Sequence, residues 1–286
     1  MPAAGADAGP PPSTTLAALA ATHDVFLVDQ FGTLHDGVRL YPQALAALRA
    51  LRQAGRRVVL LSNSGKRAAA NARRLERLGI PPDAYDRFVT SGEAAWQMLH
   101  DRRLPAAAGA RRCLLLSRDG DRSAIDGLDL EPVADAADAE LVIIAGSEGE
   151  RLPLAHYRAL LEQAAARRLP ALCLNPDRTM LTALGPAFGA GRIAELYEAL
   201  GGTVTWIGKP HREIYDTVLT ALGEPERARV IGVGDSVEHD IAGARAAGCH
   251  AALVRAGIIA GADDEAIAAE CRRYGAWPDA MLDAFA

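Results

Sequence analysis

Four polar residues stand where apolar runs give way to turns. Residues 25–28 (Val-Phe-Leu-Val) lead to Asp29, residues 57–61 to Ser62, residues 204–207 to Gly208-Lys209-Pro210, and residues 229–233 to Gly234-Asp235-Ser236. Singly each has a plain reading: Asp29 and Asp235 as turn formers, Ser62 as a helix cap, Lys209 as a surface charge. Jointly they describe phosphoryl transfer. In an open parallel sheet ligands bind outside the carboxyl ends of the strands, so four strands of one sheet would aim these side chains at one crevice. A carboxylate can attack an anionic phosphorus only if a cation and fixed donors neutralise the phosphoryl oxygens. Asp29 is the nucleophile in that reading, and Ser62, Lys209 and backbone amides are the donors. Asp29 and Asp235 would hold a hard divalent ion, Mg²⁺, with Asp240, five positions further on, behind them or reaching the ion through a water.

The elements that must position them follow from periodicity. Short apolar runs alternate with helix-period stretches, the pattern of a parallel sheet covered by helices on both faces. Helices are expected over 42–54, with Gly55 just past the end as a C-cap, over 66–78, with Ser64 or Asn63 as N-cap, and over 154–167, 213–222 and 241–247. A separate strand and helix series between about 90 and 194, including strands at 113–117, 141–145 and 171–174, reads as an inserted domain.

The ordered set Asp29-Gln30-Phe31-Gly32-Thr33, Leu61-Ser62-Asn63, Gly208-Lys209-Pro210 and Gly234-Asp235-Ser236 with Asp240 resembles the four motifs of the haloacid dehalogenase (HAD) superfamily. Only 33 positions separate Asp29 from Ser62, whereas 147 separate Ser62 from Lys209. A mobile α/β cap then falls after the second motif, as in the class IIA, NagD-like branch. The resemblance implies a doubly wound, Rossmann-like core of residues 16–88 plus 197–286 and a C2-type cap of residues 89–196; residues 1–15, rich in Ala, Gly and Pro, read as a disordered tail. It also implies Mg²⁺-dependent hydrolysis of small phosphate monoesters, such as nucleotides, phosphoglycolate, pyridoxal phosphate or sugar phosphates. Substrate contacts would come from Ser62, Asn63 and Lys209, and from Asn175 and Asp177 on a turn after a cap strand, near Arg178 and Thr179. Lys66, at a helix start, is a further candidate for meeting substrate anions.

One position departs from that pattern. In the phosphatases the residue two after the nucleophile is an Asp that protonates the leaving oxygen and then activates water; here it is Phe31. Its backbone carbonyl can still bind the metal, but its side chain transfers no proton, and general acid–base help is worth roughly 10²–10⁴-fold. His35 and Asp36, on the flap that follows, are the expected substitutes, with His239 beside Asp240 as another imidazole; His35 and Asp36 as simple turn residues is the alternative. Three functions follow: a slow or atypical phosphatase, a catalytically silent sensor of a phosphorylated metabolite, and a metal-free dehalogenase that attacks carbon. The last fits poorly, because its cap lies in the other gap and Asp235 with Asp240 would be idle.

Composition bounds the rest. The chain has 286 residues, 50% hydrophobic and 23% charged, enough for one large core or two smaller ones. A net charge of −5 argues against a phosphate-neutralising nucleic-acid or membrane surface. No apolar run approaches the roughly 20 residues of a membrane span. The expected partner is a small phosphorylated metabolite, with a homodimer as a further expectation. Four scattered cysteines, with no C-x-x-C pair, read as reduced buried thiols of a cytoplasmic protein. Of 31 basic residues only Lys66 and Lys209 are lysines, which marks both as places where a compact ammonium could be wanted, with chance occurrence, above all for Lys66, as the alternative.

Overall fold

The computed structural model describes residues 10–182 and 185–286. Its strands are β1 (Ser13–Thr14), β2 (Val25–Asp29), β3 (Arg57–Ser62), β4 (Arg87–Thr90), β5 (Arg112–Leu116), β6 (Glu131–Val133), β7 (Leu141–Ile144), β8 (Pro170–Cys173), β9 (Thr179–Thr182), β10 (Gly185–Phe188), β11 (Thr203–Trp206), β12 (Val230–Gly234), β13 (His250–Val254) and β14 (Ala280–Leu282). The helices are α1 (Leu16–Thr22), α2 (Ala44–Gln53), α3 (Ala68–Leu78), α4 (Ser91–His100), α5 (Leu154–Ala166), α6 (Ala190–Ala199), α7 (Arg212–Ala221), α8 (Ala242–Ala246) and α9 (Asp264–Tyr274). None of the described helices is long and apolar enough to cross a membrane.

The chain divides into two compact units, residues 1–62, 72–89 and 209–286 in the first and 63–71 with 90–208 in the second. The first is built on a seven-stranded sheet ordered β1-β14-β13-β12-β2-β3-β4. Its central strands are parallel and buried on both faces, which is why β2 and β12 read as unbroken apolar runs. Helix α2 buries Ala44, Ala47, Leu48 and Leu51 on one stripe, and Gly55 takes the left-handed conformation just past its end (φ 75°), as the sequence predicts. The second unit carries a five-stranded parallel sheet, β11-β8-β7-β5-β6, and the antiparallel pair β9-β10. Its core includes Val142, Ile144, Leu161, Cys173, Ile193 and Tyr197. The parallel-sheet α/β class expected from periodicity is therefore the architecture of both units.

Four expectations need correction. The strand before Lys209 does not belong with β2, β3 and β12. As β11 it pairs in parallel register with β8, Thr203 opposite Pro170 and Trp206 opposite Cys173, so the last crossing between units falls at Gly208–Lys209 and not at 196–197. Residues 63–71 go with the second unit, because Gly65 lies so close to Ala145 that a Cβ would meet the Ala145 carbonyl oxygen at 1.9 Å, and the Gly92 N–H donates to the Ser64 carbonyl. The cap of α3 is neither Ser64 nor Asn63: the Glu93 carboxylate accepts from the Ala68 N–H (3.0 Å) while pairing with Arg67. Finally, residues 13–15 of the expected tail are ordered. Ser13 and Thr14 pair with Met281 and Leu282, and the Thr15 hydroxyl caps α1. Residues 1–9 of that tail lie outside the described residues. All four cysteines are buried and unbridged, as expected.

Candidate active site

Strand β2 ends at Asp29 with four apolar residues behind it, so the carboxylate leaves the sheet at its carboxyl edge while its backbone stays in the ladder opposite Leu61. One strand over, β12 ends in Gly234, followed by Asp235. The chain then makes a π-helical turn, Val237–Ile241, capped by the Ser236 hydroxyl, which accepts from the His239 N–H (3.1 Å). That turn folds Asp240 back, and its carboxylate accepts from the Ser236 N–H (3.1 Å). Gly234 is required here, because a Cβ would lie 2.1 Å from the Asp240 carboxyl carbon. Lys209 donates to Asp29 (2.5 Å) and to Asp240 (2.6 Å), and both of these carboxylates are buried with it.

Asp29, Asp235 and Asp240 each offer an oxygen, all within 4.8 Å of one another. Three carboxylates around one ammonium leave an excess of two negative charges when all are ionised. Burial is the largest cause pushing Asp29 well above the usual carboxylate range; Lys209 opposes it, and Asp240 and Asp235 push further in the same direction. Burial, then Asp240, raises Asp235 to about 7, against a hydrogen bond from the Ile258 N–H (2.7 Å). Burial lowers Lys209, but Asp240 and Asp29 outweigh it and hold the ammonium well above its ordinary value. A buried, oxygen-only donor set with excess negative charge fits a hard divalent cation.

The sequence reading missed the support around Asp235. Gly32 (φ 85°) and Gly257 (φ 53°) flank it so closely that a Cβ at either would meet Oδ2 at 2.0 or 1.9 Å. A glycine just past the carboxyl end of the neighbouring strand β13 was the available signal. Gln30 was missed as well: its side-chain amide donates to the Ser62 hydroxyl (2.6 Å), orienting it.

Other expected site residues have local partners. His35 is 2% exposed; its Nδ1 accepts from the Gly37 N–H (2.9 Å), and burial followed by the Arg74 charge lowers it to about 4. The Asp36 carboxylate closes an exposed turn by accepting from the Val38 and Arg39 N–H groups, which hold it below the usual range. The Phe31 ring packs edge-on to His35, with centroids 5.8 Å apart. In the second unit, Asn63 donates to Asp177 (2.8 Å), and Asn175 accepts from the Asp177 N–H (3.0 Å), so Asn63 is tied to the turn that follows β8. Arg178 pairs with Glu195, Lys66 pairs with Asp121 (3.4 Å), and Thr179 opens β9.

Comparison with known proteins places this geometry. A family model described as haloacid dehalogenase-like hydrolase matches residues 26–131, and a second, HAD-hydrolase-like, matches residues 206–285. The sugar-phosphatase AraL of Bacillus subtilis is 29% identical over 254 residues, covering 83% of this chain and 87% of that protein. A haloacid dehalogenase-like hydrolase from Brucella suis superposes with a TM-score of 0.77 at 31% identity, covering 86% of this chain and 94% of the other. The glycerol phosphate phosphatase of Mycobacterium tuberculosis, solved in complex with magnesium, superposes with a TM-score of 0.67 at 25% identity over 86% of this chain and 71% of its own. With the carboxylate cluster at the strand ends and this coverage, the chain belongs to the haloacid dehalogenase-like hydrolases, in their NagD-like, class IIA branch.

Proposed function

We propose that this hydrolase is a divalent-metal-dependent phosphatase of small phosphate monoesters, with Asp29 as the phosphoryl acceptor. The observation that carries the reading is the pairing of Asp29 with Lys209 inside a cluster that also holds Asp235 and Asp240. Asp29, Asp235 and the Phe31 carbonyl would hold Mg²⁺, with Asp240 behind them; when bound it neutralises phosphoryl charge at the carboxylate that must attack it. Lys209 holds a compact positive charge against the nucleophile, and the Ser62 hydroxyl, oriented by Gln30, offers a donor to a phosphoryl oxygen. Asp29 forms the bond to phosphorus as the ester bond breaks, and water then releases phosphate from Asp29. The named activities of the relatives, on sugar phosphates and glycerol phosphate, support monoesters as the substrate class.

The position of Phe31 favours one alternative, a silent phospho-metabolite sensor that keeps the pocket and the cation. A panel of phosphate esters assayed with Mg²⁺ and with EDTA decides between the two. Metal-dependent release of phosphate is the expected result. Phosphate-ester binding without turnover on any member of the panel would establish the sensor instead.

A further inference from the structure

Asp240 is carried by a single π-helical turn, Val237–Ile241. The Asp240 and Ile241 N–H groups both donate to the Ser236 carbonyl (2.9 and 3.1 Å), the second closing the wider i→i+5 loop of a π-turn. That loop folds the Asp240 carboxylate back to the Ser236 N–H (3.1 Å) and onto Lys209 (2.6 Å). A lone turn fixes several residues for each hydrogen bond it makes, so it depends on its neighbours to stay formed.

Two helices of the same unit supply them. From α7, Tyr215 is 1% exposed and sets its hydroxyl against α8: a Cβ at Gly243 would lie 2.5 Å from it, and the His239 carbonyl oxygen is 3.5 Å away. From α9, the last residue, Tyr274, donates its hydroxyl to the Glu238 carboxylate (3.0 Å) across 36 residues of chain. Helix α9 is itself anchored. The Asp263 side chain caps its start, Gly275 takes the left-handed conformation past its end, and Ile267, Ala268 and Cys271 are buried. Tyr274 stands three residues after Cys271, on the same face of the helix, and the Arg273 guanidinium lies over its ring, 5.2 Å from the centroid.

We infer that Tyr274 is a positioning residue of the carboxylate site, acting through Glu238 to fix the turn that holds Asp240 against Lys209. This rests on the metal-dependent reading of the site. Asp29 and Asp240 share the Lys209 ammonium, so a turn free to shift loosens Asp240 and leaves Lys209 to Asp29. The cation then meets a less ordered set of carboxylates and binds more weakly. Groups that touch a metal-holding side chain directly are worth roughly 10–100-fold in affinity or activity. Tyr274 acts from further out, and about 3–10-fold is expected on that scale.

The test uses the full chain. Isothermal calorimetry gives Mg²⁺ affinity for the parent, Tyr274→Phe, Glu238→Ala, Glu238→Gln and the Tyr274→Phe/Glu238→Ala double variant. Hydrolysis of 4-nitrophenyl phosphate across a Mg²⁺ titration gives kcat and KM, and melts in EDTA give stability. Tyr274→Phe keeps the ring and its Arg273 contact, and should weaken Mg²⁺ binding by about 3–10-fold with KM for the ester at saturating Mg²⁺ unchanged. Glu238→Gln keeps an acceptor oxygen for the phenol and should shift the affinity less than Glu238→Ala. Tyr274→Phe should add nothing on the Glu238→Ala background, the mark of two residues acting as one. A Tyr274→Phe variant that melts lower but binds Mg²⁺ as the parent does would make the contact merely structural and overturn the inference, as would effects of the two substitutions that add. A parent that binds Mg²⁺ but hydrolyses no ester overturns the phosphatase reading alone, and the calorimetric series still decides this one. A parent that binds no Mg²⁺ overturns both.

Discussion

Gly257→Ala separates the geometry of Asp235 from general stability. The residue sits at φ 53°, and an added Cβ would lie 1.9 Å from Asp235 Oδ2 and 2.5 Å from the Gly32 Cα. Contacts below 3.0 Å are essentially unknown for real Cβ atoms, so the carboxylate must retreat by about 1 Å, a misplacement that costs on the order of 10²-fold in rate. The left-handed backbone adds about 1–2 kcal/mol of strain, a drop of roughly 2–8 °C in Tm for a chain of this size. Gly55→Ala is the control: φ is 75°, but nothing lies within 4 Å, so the same strain arises without the clash. Hydrolysis of 4-nitrophenyl phosphate across a Mg²⁺ titration, with thermal melts of both variants, reads the difference. Gly257→Ala should lose about 10²-fold in kcat/KM and shift Mg²⁺ half-saturation upward, whereas Gly55→Ala should keep both. If Gly257→Ala retained kcat/KM within about threefold at unchanged Mg²⁺ half-saturation, Asp235 would not be the positioned ligand described here.

Three further outcomes follow from the same cluster. The folded, metal-free protein holds a proton on Asp235 that the unfolded chain releases near pH 4, so its stability should fall as pH rises from about 4 to 7, by up to about 1.4 kcal/mol per pH unit. Mg²⁺ should therefore raise Tm more at pH 8 than at pH 5, and a Tm of the EDTA-treated protein that climbs across that range would contradict the charge excess. Lys209→Met leaves Asp29 and Asp240 buried without their cation, so melts should show a loss of about 3 kcal/mol and activity should fall by about 10²–10³-fold. Asp29→Asn removes one repelling carboxylate, so it should abolish turnover while the metal-free protein melts no lower than the parent near neutral pH.

Much of the site was legible because each of its residues marks a local event, an apolar run meeting a turn. Asp29, Ser62 and Asp235 lie at the strand ends where periodicity put them, and the five-residue step from Asp235 to Asp240 proved short enough for one tight turn. Pairing partners were not legible. Nothing in Thr203–Trp206 says whether it joins β2 or β8, because sheet assignment is settled by contacts distant in sequence. The same holds for Ser13 and Thr14, whose partners lie near the other end of the chain. The cap on α3 was misread for a related reason: Ser64 and Asn63 have the right chemistry, but Glu93 reaches the helix start from another element. Gly257 carries no local mark of its role, which comes from its closeness to Asp235.

The central claim is that Asp29 accepts the phosphoryl group. Its most direct test is acid quenching of the Mg²⁺-loaded protein during turnover of acetyl phosphate or 4-nitrophenyl phosphate, followed by peptide mass mapping. With no carboxylate at position 31 to activate water, the second step should be slow and the intermediate should accumulate. The peptide carrying Asp29 should gain the mass of one phosphoryl group, lost on hydroxylamine treatment and missing in Asp29→Asn. Phosphate release in steady turnover from a protein whose Asp29 peptide never carries that mass, or an Asp29→Asn variant that retains turnover, would contradict the account.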